Sequence, residues 1–266
     1  MDKGQHSAGL SVRPGQDVAS ELETARRFVE HLSERRCTDY LPDEVYTRVI
    51  RGLCLPAAPL RILDIGCGIG NWARRFAALG HAVWAVDISP EAIDYGKRTA
   101  PNTTGRIEWI VADLSAMDSL VIPKVDLAFG GGILHHISYA ATAELASKLA
   151  RMLVPNGRAA FMEWNVLSPT NIVRSVLRHW RADTGLSSNE RPISPITTSR
   201  IFGALGYALE DMYAISPFEE TTGRLPTVRG AFTWCAERLL RRLPWQKIDR
   251  RLAWGSHFVA CFRIAS

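Results

Sequence analysis

Leu60-Arg61-Ile62-Leu63-Asp64-Ile65-Gly66-Cys67-Gly68-Ile69-Gly70-Asn71-Trp72 is the stretch on which the fold turns. A short apolar run carries an aspartate near its end. Three glycines follow at alternate positions, and then the sequence becomes helical. This pattern predicts a buried strand, a tight turn and a helix start, the arrangement that grips a nucleotide-like cofactor at the carboxyl edge of a parallel sheet. Gly66, Gly68 and Gly70 can take positive φ and, lacking a Cβ, let a ligand approach the backbone. The helix start that follows turns free N–H groups toward the same place. An ordinary glycine-rich turn has the same spacing, so the flanking residues must separate the two.

Asp64 sits just before the first glycine, where a dinucleotide fold brings a pyrophosphate. A carboxylate repels a pyrophosphate and attracts an ammonium or sulfonium group. S-adenosylmethionine carries both of those cations and no phosphate. The position where GxGxxG has its last glycine is Asn71, which argues against a dinucleotide. On these residues the segment resembles motif I of the class I S-adenosylmethionine-dependent methyltransferases. That resemblance implies a Rossmann-like, doubly wound α/β fold of seven strands in the order 3-2-1-4-5-7-6, the last strand antiparallel.

The chain has 266 residues, 47% of them hydrophobic, which is ample for one α/β domain with a core of its own. A formal charge of +5 is too small to imply nucleic acid as a partner. The five cysteines are odd in number and form no CxxC pair, so reduced thiols in a cytoplasmic protein are expected, not a disulfide or zinc framework. No apolar run approaches a membrane span. Residues 1–16 lack the apolar core of a signal peptide and are expected to be a disordered tail. Residues 17–266 then form a single domain, with N-terminal helices within 17–56 and an insert at 216–256.

The expected helices begin at Asp17 to about Arg36, with Leu22, Ala25, Phe28, Val29 and Leu32 on one face, and at Pro42 to about Leu53. In the family they partly cover the cofactor and substrate site; packing on the sheet edge is the alternative. Strands are expected at Arg61–Ile65, Ala82–Asp87, Ile107–Val111, Val125–Phe129 and Arg158–Trp164. Helices are expected at about Asn71–Leu79, from Ser89-Pro90-Glu91 onward, and at Ala140–Leu153. Serine as N-cap, proline at the first helical position and an acid in the first turn mark the second of these. Regular β/α alternation demands a parallel sheet with helices on both faces. Beyond Trp164 the rhythm breaks. Helices at Asn171–Arg181 and Ser199–Leu205 and strands at Tyr207–Ile215 and His257–Ile264 are expected there.

Further acids fall at successive strand ends. Asp87 closes the second strand about 20 residues after the glycine turn, where an acid can accept from both ribose hydroxyls. Capping the next helix is its other available role. Asp113, in Val111-Ala112-Asp113-Leu114, closes the third strand. The resemblance implies cofactor contacts at Asp87 and Ile88, and at Asp113 and Leu114 for the adenine amino group. A carboxylate accepting from an exocyclic amine is sound chemistry, although a solvated loop acid would look the same.

Val125-Asp126-Leu127-Ala128-Phe129-Gly130-Gly131-Gly132-Ile133-Leu134-His135-His136-Ile137 is similar to the FDLVFGGGILHHL segment of small-molecule methyltransferases. The likeness implies that Gly130 and Gly131 let the backbone pass under the methionine moiety, and that His135 and His136 lie beside the methyl group. A neutral imidazole there could take the proton of a substrate hydroxyl; one or both rings could instead fix the loop through hydrogen bonds. Glu163, ending the strand Phe161-Met162-Glu163-Trp164, is implied to face the methyl acceptor, as an orienting group or a base. A salt-bridged strand-end carboxylate is the alternative. Adjacent histidines without a cysteine or carboxylate cluster make a poor metal site, and no metal is expected.

Asn165–Ile172 and Asn189-Glu190-Arg191-Pro192-Ile193 are similar to a subfamily with an Asn-Pro-rich stretch and a later Glu-His-Pro-Leu. The chain departs from that pattern at Ser168-Pro169-Thr170-Asn171 and at Arg191. Arg224–Arg251 carries eight basic residues against two acids, with Phe232, Trp234, Leu239, Leu240, Leu243, Trp245 and Trp254 among or beside them. A lid over a lipid-like acceptor, a peripheral membrane contact through 224–254, or a solvated helix pair are the readings available. The expected function is S-adenosylmethionine-dependent O-methylation of a small-molecule or lipid-like acceptor. N- or C-methylation, or cofactor binding without catalysis, are the alternatives. Nucleic acid is disfavoured, and the oligomeric state is open.

Overall fold

The computed structural model describes residues 14–35, 41–168, 171, 192–215 and 256–264. The helix expected at Asn171–Arg181 and the basic insert therefore lie outside the described residues, apart from Asn171 and Ser256. In chain order the elements are α1 (Pro14–Arg35), α2 (Asp43–Gly52), β1 (Arg61–Ile65), α3 (Asn71–Ala78), β2 (Ala82–Asp87), α4 (Pro90–Thr99) and β3 (Arg106–Val111). After them come β4 (Val125–Gly131), α5 (Tyr139–Met152), β5 (Leu153–Trp164), α6 (Pro195–Ala204), β6 (Tyr207–Ile215) and β7 (His257–Ile264). Two short 3-10 turns, Leu114–Ser119 and Leu134–His136, follow β3 and β4.

The seven strands form one sheet in the order β3-β2-β1-β4-β5-β7-β6. The pairs from β3 to β5 are parallel, and β7 runs antiparallel to both β5 and β6. This is the expected topology. The inner strands β1, β2 and β4 are buried along nearly their whole length, as parallel strands covered on both faces must be. Alternate residues feed two cores. Leu63, Ile65, Trp84 and Val86 join the core beneath α5 and α6. Ile62, Val83 and Ala85 join the one beneath α2 and α3. At the inlet of β1, the Arg61 amide and guanidinium both donate to the Asp126 carboxylate of β4, which holds that acid below its ordinary pKa.

The differences from the sequence reading have physical causes. α1 begins at Pro14, so the stretch expected to be a tail gives its last three residues to the helix. Proline is well suited to a helix start, because its missing N–H has no intrahelical partner there. α6 begins at Pro195 and not at Ser199. The Ser194 hydroxyl accepts from the Thr197 amide, the same Ser-Pro cap by which Ser89 accepts from the Ala92 amide and opens α4. The Pro155-Asn156-Gly157 turn does not precede β5 but lies inside it, as an irregularity in the pairing with β4. Asn156 takes a left-handed φ of 62° there.

Of the two N-terminal helices, α2 packs through Val45, Tyr46 and Val49 against Trp72 and Phe76 of α3. It is tied to β6 by the Tyr213 hydroxyl, which donates to the Val49 carbonyl at 3.1 Å. α1 places Val29 against Ile69 of the glycine turn and against Ala92 and Tyr95 of α4. Among the described residues, no helix is long and apolar enough to cross a membrane.

Candidate active site

All five parallel strands end at one edge, and that edge gathers most of the expected site residues. The turn after β1 is built as its glycines predict, with Gly66, Gly68 and Gly70 at φ of 63°, 53° and 79°. Their surroundings differ. A Cβ on Gly66 would stand 2.6 Å from Ile133 Cδ1, and one on Gly70 would stand 2.1 Å from Trp109. A Cβ on Gly68 would meet nothing within 4 Å. Gly66 and Gly70 are therefore glycines for packing as well as conformation, whereas Gly68 faces open space.

Asp64 lies beneath this turn with no exposed surface. Among the described residues neither of its oxygens has a hydrogen-bond partner of good geometry. Burial, reinforced by the charge of Asp87, raises its pKa to about 8, although the nearby Ala73 amide of α3 opposes the shift. A carboxylate without donors in a dry site is held neutral until a cation or donor is supplied. Cys67, buried beside these two acids, is pushed well above the ordinary thiol value.

Asp87 is engaged on both oxygens. The Gly68 amide donates to Oδ2 at 2.8 Å and the Ser89 amide to Oδ1 at 2.9 Å. The acid thus locks the glycine turn to the start of α4. Burial raises its pKa, while these amides and the nearby His136 pull it back. The half-buried Ile88 follows it. Asp113 is half-buried and caps the 3-10 turn, accepting from the Ser115 amide at 2.6 Å. Leu114, next in the chain, packs against the α5-side core.

The glycines at the end of β4 are crowded on their Cβ side. A Cβ on Gly130 would lie 2.7 Å from both Ile133 and Phe161, and one on Gly131 would lie 2.2 Å from Trp72 Nε1. What they accommodate in this structure is neighbouring protein side chains. Glu163, expected to face the acceptor, is turned inward. Glu163 is fully buried, and three N–H groups converge on it. The amides of Ile133 and Leu134 donate to Oε1 at 2.9 and 2.6 Å, and His135 Nδ1 lies 2.9 Å from Oε2. The glutamate organises the turn that carries the histidines.

That arrangement separates His135 from His136. An ionised carboxylate can only accept, so Nδ1 of His135 carries the proton and Nε2 keeps its lone pair. Among the described residues Nε2 has no partner, and it retains solvent access. The His135 ring stacks on Trp164 with centroids 5.0 Å apart and planes 4° from parallel. The His136 ring lies against the other imidazole, with centroids 4.1 Å apart and planes tilted by 36°. His257, the first residue of β7, sits opposite Trp164 in the sheet and meets it edge-on at 6.3 Å. Trp164 and His257 were not singled out from the sequence. The antiparallel seventh strand was the signal, because it returns its first residue to the edge where β5 ends. Beyond β5, the buried Asn171 amide donates to the carbonyls of Asn165 and Ser256 at 2.9 and 2.7 Å, pinning the chain to the start of β7. Among the described residues, no group of three histidines, cysteines or acids could hold a metal ion.

Known proteins share this architecture. Residues 62–157 match the family described as the methyltransferase domain. The fold is that of the S-adenosylmethionine-dependent methyltransferases. The chain is 30% identical over 111 residues to nodulation protein S of Rhizobium tropici, spanning 41% of this chain and 45% of that protein. It is 35% identical over 101 residues to the mitochondrial ubiquinone biosynthesis O-methyltransferase of Schizosaccharomyces pombe, spanning 37% of this chain and 35% of that protein. Both matches thus cover less than half of either partner. Among solved structures, the N-methyltransferase NodS of Bradyrhizobium japonicum, in complex with S-adenosylhomocysteine, superposes with a TM-score of 0.58. The likeness covers 93% of this chain and all of that one at 16% identity.

Proposed function

We propose that this protein is an S-adenosylmethionine-dependent methyltransferase that methylates a hydroxyl oxygen of a small-molecule or lipid-like acceptor. The residues present fit that cofactor. Asp64 is a buried acid lacking a partner beneath a turn where Gly68 faces open space, so the site has a place for a cation and room for a ligand beside the backbone. Asp87 and Asp113 stand at the next two strand ends, suited to a ribose and an adenine amino group. When bound, S-adenosylmethionine supplies a sulfonium methyl group for in-line transfer and leaves as the neutral thioether.

The observation that carries oxygen as the acceptor is the His135–Glu163 pair. Glu163 fixes the tautomer, and His135 Nε2 takes the hydroxyl proton as the acceptor oxygen attacks. The resulting imidazolium is stabilised by the carboxylate on its other nitrogen, the division of labour found in histidine–carboxylate dyads. Glu163 is thus a positioning residue and His135 the base. A neutral amine can attack before losing its proton, and a carboxylate has no proton to lose, so neither requires this device. His136, near enough to Asp87 to lower its pKa, is assigned to the ribose side. Most of the rate then comes from holding the acceptor in line, away from water.

The test is label transfer from methyl-labelled S-adenosylmethionine to a panel of phenols, alcohols, amines and carboxylic acids, using the wild type and His135→Ala. The expected result is transfer to a hydroxyl class, reduced about 10²- to 10⁴-fold in the variant. Transfer to an amine or carboxylic acid that His135→Ala leaves intact would contradict the oxygen assignment.

A further inference from the structure

We propose that Lys148 is a positioning residue for the adenine end of the site, fixing from mid-α5 the peptide that aims the Asp113 carboxylate. The proposal rests on the reading that Asp113 accepts from the adenine amino group.

The Lys148 side chain is only 8% exposed. Its ammonium donates to the Leu114 carbonyl at 3.1 Å and to the Ser115 carbonyl at 2.9 Å, and it pairs with Glu144 at 2.8 Å. An ammonium has three N–H bonds, and these three acceptors use all of them. Lysine is seldom buried to this degree unless its charge is matched. A leucine or methionine could join α5 to the turn beneath it without that desolvation cost. The amine is therefore assigned to what it holds.

What it holds is two successive peptide units, and the first of them bears on Asp113. The group linking Leu114 to Ser115 is gripped at both ends, its carbonyl by Lys148 and its N–H by Asp113 Oδ1. A peptide unit is planar, so fixing the direction of the carbonyl fixes the direction of the N–H. A cation on the carbonyl also polarises the unit and strengthens the N–H as a donor. The 2.6 Å contact between the Ser115 amide and Asp113 is consistent with a strong bond. With Oδ1 engaged in a set direction, the position of Oδ2 is restricted as well. Among the described residues Oδ2 has no partner. Lys148 thus acts on the nucleoside through a peptide and a carboxylate, without touching it.

The experiment is calorimetric titration of the full chain with S-adenosylhomocysteine and with S-inosylhomocysteine. The latter replaces the 6-amino donor of the base by an oxo group that a carboxylate repels. The wild type should prefer the adenine compound, and Asp113→Ala should erase the preference. If Asp113→Ala retains it, the adenine reading of Asp113 fails, and this proposal with it. Lys148→Met should weaken the adenine compound about 10- to 100-fold while changing the inosine compound little, so that the preference narrows. Lys148→Arg, which keeps a cation on the carbonyls, should restore most of the difference. Glu144→Gln should bind within about twofold of wild type, because Glu144 is mostly exposed. If Lys148→Met leaves both affinities unchanged, or lowers both equally, Lys148 only joins α5 to the turn and the proposal is overturned. Should Lys148→Met fail to fold, Lys148→Gln, with two donors and no charge, is read by the same criteria.

Discussion

The two halves of the candidate site are built on opposite principles. Among the described residues, polar groups at the ends of β1 and β3 are left for a ligand, while Asp87 at the end of β2 accepts an amide on each oxygen. Asp64 is buried without a hydrogen bond, Gly68 faces open space, and Asp113 keeps one oxygen free. At the ends of β4 and β5, polar groups are tied to one another. Glu163 takes two amides and an imidazole, and His135 Nε2 is left available. A cofactor that brings its own charge can be met by unpaired groups that it completes. A proton acceptor has to be set in tautomer and direction beforehand, because the rate depends on that geometry.

The sharpest way to break this contrast is at Glu163. Glu163→Gln keeps the shape but turns a donor toward His135 Nδ1, which forces the proton onto Nε2. Turnover should fall about 10²- to 10⁴-fold while S-adenosylhomocysteine binds as before. Nitrogen NMR of the imidazole, which needs no acceptor substrate, should report the exchanged tautomer. An unchanged tautomer would mean that Glu163 does not set the proton.

The glycine turn offers the next largest effect. Gly68→Ala and Gly70→Ala both force a left-handed alanine, at about 1–2 kcal/mol each. Gly70→Ala also drives a Cβ into Trp109 and should lose more stability in thermal unfolding. Gly68→Ala meets no protein atom, so its excess effect should fall on cofactor affinity. Equal losses of stability in the two variants would argue against Gly68 as the ligand-facing glycine.

The Asp64 pKa gives a pH dependence of intermediate size. With a value of about 8 in the free protein, Asp64 is neutral at pH 7. A cationic ligand favours the ionised form, so binding releases a proton. Affinity should therefore rise with pH, by up to about tenfold per unit, and level off above pH 8. Asp64→Asn should flatten that slope. A slope unchanged in Asp64→Asn would place the proton elsewhere. The smallest effect is expected at His136, assigned above to the ribose side. His136→Gln should reduce turnover by less than about tenfold, well short of His135→Ala. The reverse ranking would exchange the roles of the two histidines.

The two halves were also unequally legible in the sequence. The cofactor side is written in short-range signals, namely an apolar run, a glycine turn and an acid at each strand end. β1, β2, β6 and β7 have the bounds read from their residues. The acceptor side depends on pairing across 28 to 30 residues, between Glu163 and the turn after β4. Nothing local distinguishes a glutamate that faces a substrate from one that turns inward to hold a loop. Lys148 reads as one more helix lysine until the turn it holds is brought beside it. The side chains that crowd the Cβ side of Gly130 and Gly131, those of Ile133, Phe161 and Trp72, are likewise set there by the fold.

The central claim is that the edge above Asp64 receives a cationic adenosyl cofactor and not a dinucleotide. Calorimetric titration of the full chain with S-adenosylmethionine, S-adenosylhomocysteine and NAD tests it most directly. The expected result is saturable one-to-one binding of the first two, no heat with NAD, and weakened binding in Asp64→Asn. Binding of NAD, or the absence of binding by both adenosyl compounds to folded protein, would contradict it.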